Sequence, residues 1–287
     1  MTIESQKIDV RSEITEKILS YLEKGVKPWE CPYFKNFPVN ILTNNEYSGI
    51  NFLYLTMISM ERNYKSNKWL SYQQAKGLGG NVKKGEKGTY IVFYTMLEFE
   101  KDEEEGKNKK VPILKHYTVF NLEQCENIPN TEKDKSKFKL IKNENIDSFI
   151  FNIKPDIVIN DYKYPCFNPS EDKIYMPSNF KNSNGYYATF LHELAHWTGH
   201  EKRLNRFQKL AKFGSETYAM EELIAEMASA FLCARFNQQV EIENHASYID
   251  SWIRVLQNDK RAIFIAAAKA QEILNYFNYD VALDKAA

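Results

Sequence analysis

Tyr186-Tyr187-Ala188-Thr189-Phe190-Leu191-His192-Glu193-Leu194-Ala195-His196-Trp197-Thr198-Gly199-His200 decides how the rest of this 287-residue chain is read. It carries H-E-x-x-H on a segment whose apolar residues Tyr187, Phe190, Leu191 and Leu194 recur at helical spacing. Residues four apart on a helix lie one turn above each other. His192 and His196 can therefore offer two imidazole nitrogens to one ion, with Glu193 beside them as the catalytic base. A zinc site of this kind needs a third protein ligand and an open position for water. His200 is one candidate. On a continuing helix it lies about 12 Å from His192, at about 1.5 Å per residue, so it can serve only if Gly199 ends the helix and turns it back.

The stronger candidate lies downstream, between Tyr218 and Leu232, where Leu223, Met227, Ala230 and Phe231 trace a second helical stripe. Glu222 and Glu226 stack one turn apart beside it. We read Glu222 as the third metal ligand and Glu226 as the hydrogen-bond partner that orients His192. Glu221 and His200 stay open as replacements for Glu222. Alone, these glutamates also read as a solvated helix face, and H-E-x-x-H as hydrogen-bonded core histidines; the two patterns together favour a metal. The set is that of a gluzincin-like zinc metallopeptidase with one divalent ion, other metals remaining open. Glu193 takes the proton of the attacking water and passes it to the leaving amine.

Hydrophobic residues make up 43% and charged residues 26%, values of a globular protein. The net charge of zero conceals a split, with 22 Lys/Arg against 19 Asp/Glu in residues 1–140 and 16 against 19 in the remainder. Cys31, Cys125, Cys166 and Cys233 are far apart and form no C-x-x-C pair, so neither a cysteine-based zinc site nor a disulfide framework is indicated. No apolar run approaches the ~20 residues of a membrane span, and the first residues lack a signal-peptide core, so a cytoplasmic location with no membrane partner is expected.

In chain order, residues 8–24 read as an amphipathic helix stopped by Gly25, 50–64 and 71–77 as two more, and 89–99 with 111–121 as a long β-hairpin around a charged tip. Gly80-Asn81-Val82-Lys83-Lys84-Gly85-Glu86-Lys87-Gly88 misplaces the lysine and hydroxyl of a phosphate loop, so it reads as a basic turn into a strand. Seven basic residues between 60 and 95 interleave with aromatics. Lysine and arginine neutralise phosphates while rings stack on unpaired bases. That combination marks Trp29, Arg62, Lys65, Lys68, Trp69, Tyr72, Lys83, Lys84 and Lys87 as candidate contacts to single-stranded DNA, although a lysine run is also an ordinary solvated face. Further on, 156–159 reads as a strand, 164–177 as a hairpin turning near Pro169–Asp172, and 217–236, 243–257 and 259–278 as closing helices. The five positive charges of residues 201–213, next to the metal helix, point to an acidic or nucleic-acid-bound substrate or to a solvated surface.

These residues resemble the ArdC antirestriction family of conjugative plasmids and mobile elements over nearly the whole chain. The likeness rests on Lys27-Pro28-Trp29, Tyr47-Ser48-Gly49-Ile50-Asn51, Trp69-Leu70-Ser71-Tyr72-Gln73-Gln74-Ala75, the glycine-lysine turn, the H-W-T-G-H extension at His196–His200, Arg203-Leu204-Asn205-Arg206 and Glu221-Glu222-Leu223-Ile224-Ala225-Glu226. The chain departs from the family in its charged insertion at 100–110. The resemblance implies an α+β protein of two domains. The first is an N-terminal α+β single-stranded-DNA-binding domain with a long hairpin (1–130), followed by a linker (131–144). The second is a mostly helical zincin-like metallopeptidase domain with a small edge sheet (145–287). It also implies a role in protecting incoming DNA from restriction, with a protein substrate left open. Two alternatives stand beside it: a DNA-shielding protein with a non-catalytic zinc site, and a cytoplasmic metallopeptidase whose N-terminal domain recognises protein.

Overall fold

The computed structural model describes residues 9–29, 37–99, 109–129, 144–160, 164–178, 180, 183–207, 214–236, 238 and 246–283. Their elements in chain order are α1 (Val10–Leu22), β1 (Val39–Asn40), α2 (Ile50–Glu61), β2 (Lys68–Leu70), α3 (Tyr72–Gly77), β3 (Asn81–Val82), β4 (Thr89–Phe99), β5 (Lys109–Asn121) and β6 (Cys125–Glu126). Then come α4 (Glu144–Ile153), β7 (Asp156–Asn160), β8 (Cys166–Asn168), β9 (Lys173–Pro177), α5 (Ser183–Trp197), α6 (Glu216–Arg235), α7 (Ala246–Asn258) and α8 (Ala262–Leu283). The fold is the expected two-part α+β arrangement. Residues 100–108 of the expected hairpin tip and 131–143 of the expected linker lie outside the described residues.

Two compact units divide the chain: Met1–Phe37 with Ser48–Thr56 and Lys135–Ala287, and Pro38–Tyr47 with Met57–Asp134. Residues expected in the N-terminal domain therefore pack in the unit that carries H-E-x-x-H. The reason is aromatic burial. Trp29 is fully buried and meets the Trp252 ring edge-on at 5.4 Å, while Phe52 stacks on Phe37 at 4.4 Å and meets Phe231 of α6 at 4.8 Å. Lys27 joins them below the surface, its ammonium 3.7 Å from the buried Glu226 carboxylate. Helix α6 is buried on every side from Glu222 to Ala234, as a central helix must be, and α5, α7 and α8 cover it. Helix α4, which the sequence reading passed over, seats Ile146 and Phe149 three residues apart; Phe149 packs on Phe236 and Phe277. A three-stranded sheet of order β7-β9-β8 completes this unit.

The other unit is built on a four-stranded sheet, β1-β2-β5-β4, whose β4 and β5 pair antiparallel from Thr89 opposite Val119 to Phe99 opposite Lys109. Ser71 and Gln74 close a reciprocal capping box at the start of α3. The glycine-lysine turn serves packing: a Cβ on Gly80 would fall 2.5 Å from the Glu126 carbonyl oxygen. Close backbone approach, not phosphate, is what requires glycine there.

The segment after α5 holds that helix by its C-terminal end, where unpaired carbonyls and the helix dipole favour cations. Arg206 donates to the Ala195 carbonyl at 2.7 Å and to the Thr198 hydroxyl at 2.7 Å, and pairs with Glu221 at 2.8 Å. Arg203 donates to the Trp197 carbonyl at 2.6 Å, lies over the Trp197 ring at 3.7 Å and forks onto Asp172 in the β8–β9 turn. Gly199 leaves the space this clasp needs, since a Cβ would sit 2.7 Å from the Phe207 ring. The expected basic, substrate-facing loop is thus corrected at Arg203 and Arg206: their guanidiniums turn inward. Lys202 alone of the described basic residues there is well exposed; Lys209 and Lys212 lie outside the described residues.

Burial by itself pushes the Asp172 carboxyl up, but the Arg203 guanidinium, with His200 and Lys202, holds it below the usual carboxylate range. A carboxyl lowered in the folded state contributes stability that is present above its unfolded pKa, about 4, and lost as pH falls through the folded value. Asp172→Asn, which tolerates the positive φ of this turn, should therefore cost about 2 kcal/mol at pH 7, and the gap from wild type should close below about pH 4. Denaturant unfolding across pH measures this; a gap that stays constant with pH refutes it. A fragment of residues 144–287, deprived of Trp29, Phe52 and α1, should lack a cooperative thermal transition and near-ultraviolet aromatic ellipticity, and sharp unfolding of that fragment would contradict the packing described.

Candidate metal centre

Helix α5 presents His192 and His196 one turn apart, and α6 brings Glu222 against them. The two Nε2 atoms lie 3.2 Å apart, His192 Nε2 is 3.5 Å from one Glu222 oxygen, and His196 Nε2 is 3.7 Å from the other. A tetrahedral ion with bonds of about 2.0–2.1 Å needs ligand atoms about 3.3 Å apart, so this triangle fits a small divalent cation. All three ligand atoms fall within 4.8 Å of one another. The donor chemistry fits as well: two imidazoles and one carboxylate are the mixed nitrogen and oxygen set of a zinc-type site.

The electrostatics point the same way. Burial opposes charge on His196, yet the Glu222 carboxylate, Glu221 and Glu193 together raise its pKa well above the ordinary imidazole value. Burial also works against ionised Glu222, and the charges and hydrogen bonds of His196 and His192 overcome it and lower its pKa. Both shifts show that these carboxylates favour a positive charge between them, and a divalent ion is a charge that can take that place.

The carboxylate that orients a histidine is Glu221. It lies 3.3 Å from His196 Nδ1 and itself accepts from Arg206 Nε and Nη2, at 3.2 and 2.8 Å. Glu226, expected to orient His192, instead lies beside the Lys27 ammonium, completely buried. The difference is angular: on α6, Glu221 is 100° from Glu222, which aims it at His196 and Arg206. The R-L-N-R motif just after α5 is the sequence signal that could have found it, since an arginine at a helix end can reach both the last carbonyls and a neighbouring carboxylate. His200 belongs to the clasp, with Nδ1 accepting from the Lys202 N–H at 3.2 Å and lying 3.8 Å from Asp172. It stands outside the metal-competent group. Glu193 is buried, and one of its oxygens accepts a hydrogen bond from the Phe167 N–H of edge strand β8 at 2.8 Å.

The residues expected to contact DNA differ in how far they are open to solvent. Trp29 and Trp69 are both 0% exposed, so neither offers a ring to a base, a correction to the sequence reading. Arg62 donates to the Lys87 carbonyl at 2.8 Å and Lys83 to the Glu123 carbonyl at 2.8 Å, both holding backbone in place. Lys68 is half-buried on β2, whereas Lys65, Tyr72, Lys84 and Lys87 are exposed. Three exposed rings stand on the β4–β5 hairpin: Phe93 (48% exposed) and Tyr94 (54%), which belong to the aromatics interleaved with the basic residues but not to the expected contacts, and Tyr117 (53%), which the sequence reading missed. Phe93 and Tyr117 meet edge to face at 5.7 Å on one face of the hairpin, with exposed Lys115 directly opposite Phe93.

Comparison with known proteins accords with this geometry. Residues 144–269 match the zincin-like metallopeptidase family, and residues 8–120 match the N-terminal domain of anti-restriction factor ArdC. The crystal structure of antirestriction protein ArdC from plasmid R388, in its metal-free form, superposes with a TM-score of 0.81 at 37% identity, over 96% of this chain and 98% of that one. The Mn(II)-bound structure of the same protein gives 0.81 at 36% identity, over 95% and 98%. An Escherichia coli protein named DNA primase TraC is 33% identical over 92% of this chain, which spans only 26% of that relative. The Sinorhizobium fredii protein y4eC is 32% identical over 94% of this chain and 92% of its own length. With the ArdC crystal structures matched from end to end and the metal-competent triangle in place, the chain belongs to the ArdC antirestriction family.

Proposed function

We propose that this protein is a divalent-metal peptidase of the antirestriction type that also holds unpaired DNA through the unit built on the β4–β5 hairpin. The observation that carries the first part is the triangle of His192, His196 and Glu222 with Glu193 beside it. These three residues would hold the ion, with zinc the expected metal; the R388 relative was crystallised with Mn(II). The chemistry such an ion supplies when bound is Lewis acidity toward water and toward a carbonyl oxygen. Glu193 takes the proton of the attacking water and returns it to the leaving nitrogen. Its contact with the Phe167 N–H uses one lone pair and keeps the carboxylate oriented without filling its capacity.

For the DNA-binding part, positive charge and exposed rings occur together in the hairpin unit, where Lys65, Lys84, Lys87 and Lys115 accompany Tyr72, Phe93, Tyr94 and Tyr117. Phosphate neutralisation supplies affinity, and base stacking on an open ring supplies the preference for unpaired strands. A second reading, a DNA-shielding protein whose metal does not catalyse, has one observation in its favour: Glu193 is already engaged by β8.

Glu193→Gln should retain the metal and lose about 10²- to 10⁴-fold of peptide hydrolysis. Cleavage at the wild-type rate by that variant rules out the base assigned here, and full protection of transferred DNA by it selects the shielding reading. Phe93→Ser and Tyr117→Ser should each weaken binding of an unpaired oligonucleotide by about 5- to 100-fold while leaving its dependence on salt unchanged, as measured by fluorescence anisotropy. Absence of binding by wild type at low salt defeats the DNA reading altogether.

A further inference from the structure

We propose that the β4–β5 hairpin holds a DNA fork, with one unpaired strand on each of its two faces. The proposal rests on the DNA-binding reading above and names the form of DNA that the hairpin takes. Strand β5 pairs with β2 only at Phe120 and Asn121, whereas its ladder with β4 continues from Val119 opposite Thr89 to Lys109 opposite Phe99. At about 3.3 Å per residue that makes a two-stranded ribbon roughly 30 Å long. Among the described residues no third strand flanks it beyond Phe120.

Successive side chains of a strand point to opposite faces, so the neighbours Phe93 and Tyr94 stand back to back. The first face carries Phe93 and Tyr117, edge to face at 5.7 Å, with Lys115 directly opposite Phe93. The second carries Tyr94, together with Tyr90 and His116, whose rings meet edge to face at 5.4 Å. Nearer the sheet both faces are closed, since Ile91 and Val119 are buried on the first and Val92 on the second. At the level of Phe93 and Tyr94 both are open: these two rings, Lys115, His116 and Tyr117 are all exposed.

One unpaired strand needs one such face. Rings bared back to back on a thin ribbon serve two strands, and two strands part around a divider only where a duplex forks. Charge agrees with this occupant. Neither face carries an acidic residue between Thr89 and Thr95 or between Ile113 and Val119, while Lys115 on one face and a ring N–H of His116 on the other can meet phosphates. Magnitudes decide what the ribbon does there. Stacking a base on one ring is worth about 5- to 100-fold in affinity, and opening one base-pair step costs about tenfold. Two rings offset only a few such steps, so the ribbon captures a fork that is already open and does not unwind a closed duplex.

The test measures fluorescence anisotropy of full-length protein at one low salt concentration with four DNAs: a fork with two non-complementary arms, the same duplex with one arm, a free single strand of the same arm length, and the blunt duplex. Wild type should bind the fork about 5- to 100-fold tighter than the one-armed duplex and the blunt duplex most weakly. With 2-aminopurine at the first unpaired base of either arm, wild type should change the emission of both probes. Phe93→Ser should abolish the change in one arm and Tyr94→Ser in the other, because the arms differ in polarity and each face takes one of them. Tyr94→Ser should weaken fork binding by about 5- to 100-fold and single-strand binding by a smaller factor. Both side chains are exposed, so thermal midpoints should stay within about 2 °C of wild type. Equal affinity of wild type for the fork and the one-armed duplex overturns the proposal without recourse to any variant, and so does loss of the same probe signal in both variants. If wild type binds neither the single strand nor any DNA with an unpaired arm, the DNA-binding reading itself fails, a result distinguishable from single-strand binding without preference for the fork.

Discussion

Everything at the candidate metal centre depends on how closely α5 and α6 approach. Three side chains from two helices must bring their donor atoms within a few ångströms, and ordinary helix contact distances of about 8–10 Å leave little tolerance. Alanines and a serine make the approach feasible: Ala188, Ala195, Ala225 and Ala228 are completely buried, and the Ser229 hydroxyl donates to the Ala188 carbonyl at 3.1 Å in the seam between the helices. That bond consumes a polar group which would otherwise cost free energy in the core, and it fixes the register of one helix on the other. A one-residue slip would carry Glu222 about 100° around its axis, away from both imidazoles.

The clasp at the end of α5 acts on the same helix from its other side. Arg206 connects the Ala195 carbonyl, the Thr198 hydroxyl and Glu221, so one guanidinium terminates the helix and also steadies the carboxylate against His196. Arg203 ties the helix end to the β8–β9 turn, and β8 in turn holds Glu193. Glu193, the metal-competent triangle and the edge strand are thus connected by short polar links rather than by apolar packing alone, which suits a site whose groups must keep fixed separations.

What could be read without coordinates followed from periodicity. H-E-x-x-H and the spacing of Glu222 predict convergence, because helical geometry converts intervals of four into a shared face, and the hairpin at β4–β5 declared itself by its β-rich flanks. Roles decided by angle around a helix or by distant partners stayed hidden. Glu221 and Glu226 look equivalent in the sequence, and only the position of Arg206 on one side and Lys27 on the other separates them. Trp29 and Trp69 resembled stacking platforms because an aromatic residue among lysines reads the same whether its ring faces solvent or core. Helix α4 was passed over because its apolar residues Ile146, Phe149, Ile150 and Ile153 follow a polar, lysine-rich stretch that reads as linker.

The burial of Trp29, Phe52 and Lys27 among α6 and α7 also bears on how such proteins can be rearranged in nature. The two matched family regions look separable along the chain, yet the floor beneath the helix that carries His192 and His196 is laid by the first of them. Genetic exchange that cut between them would deliver the zincin-like half with its interior open to water. When this region appears inside a much larger polypeptide, as in the primase-named relative, it has to be transferred as a single cassette.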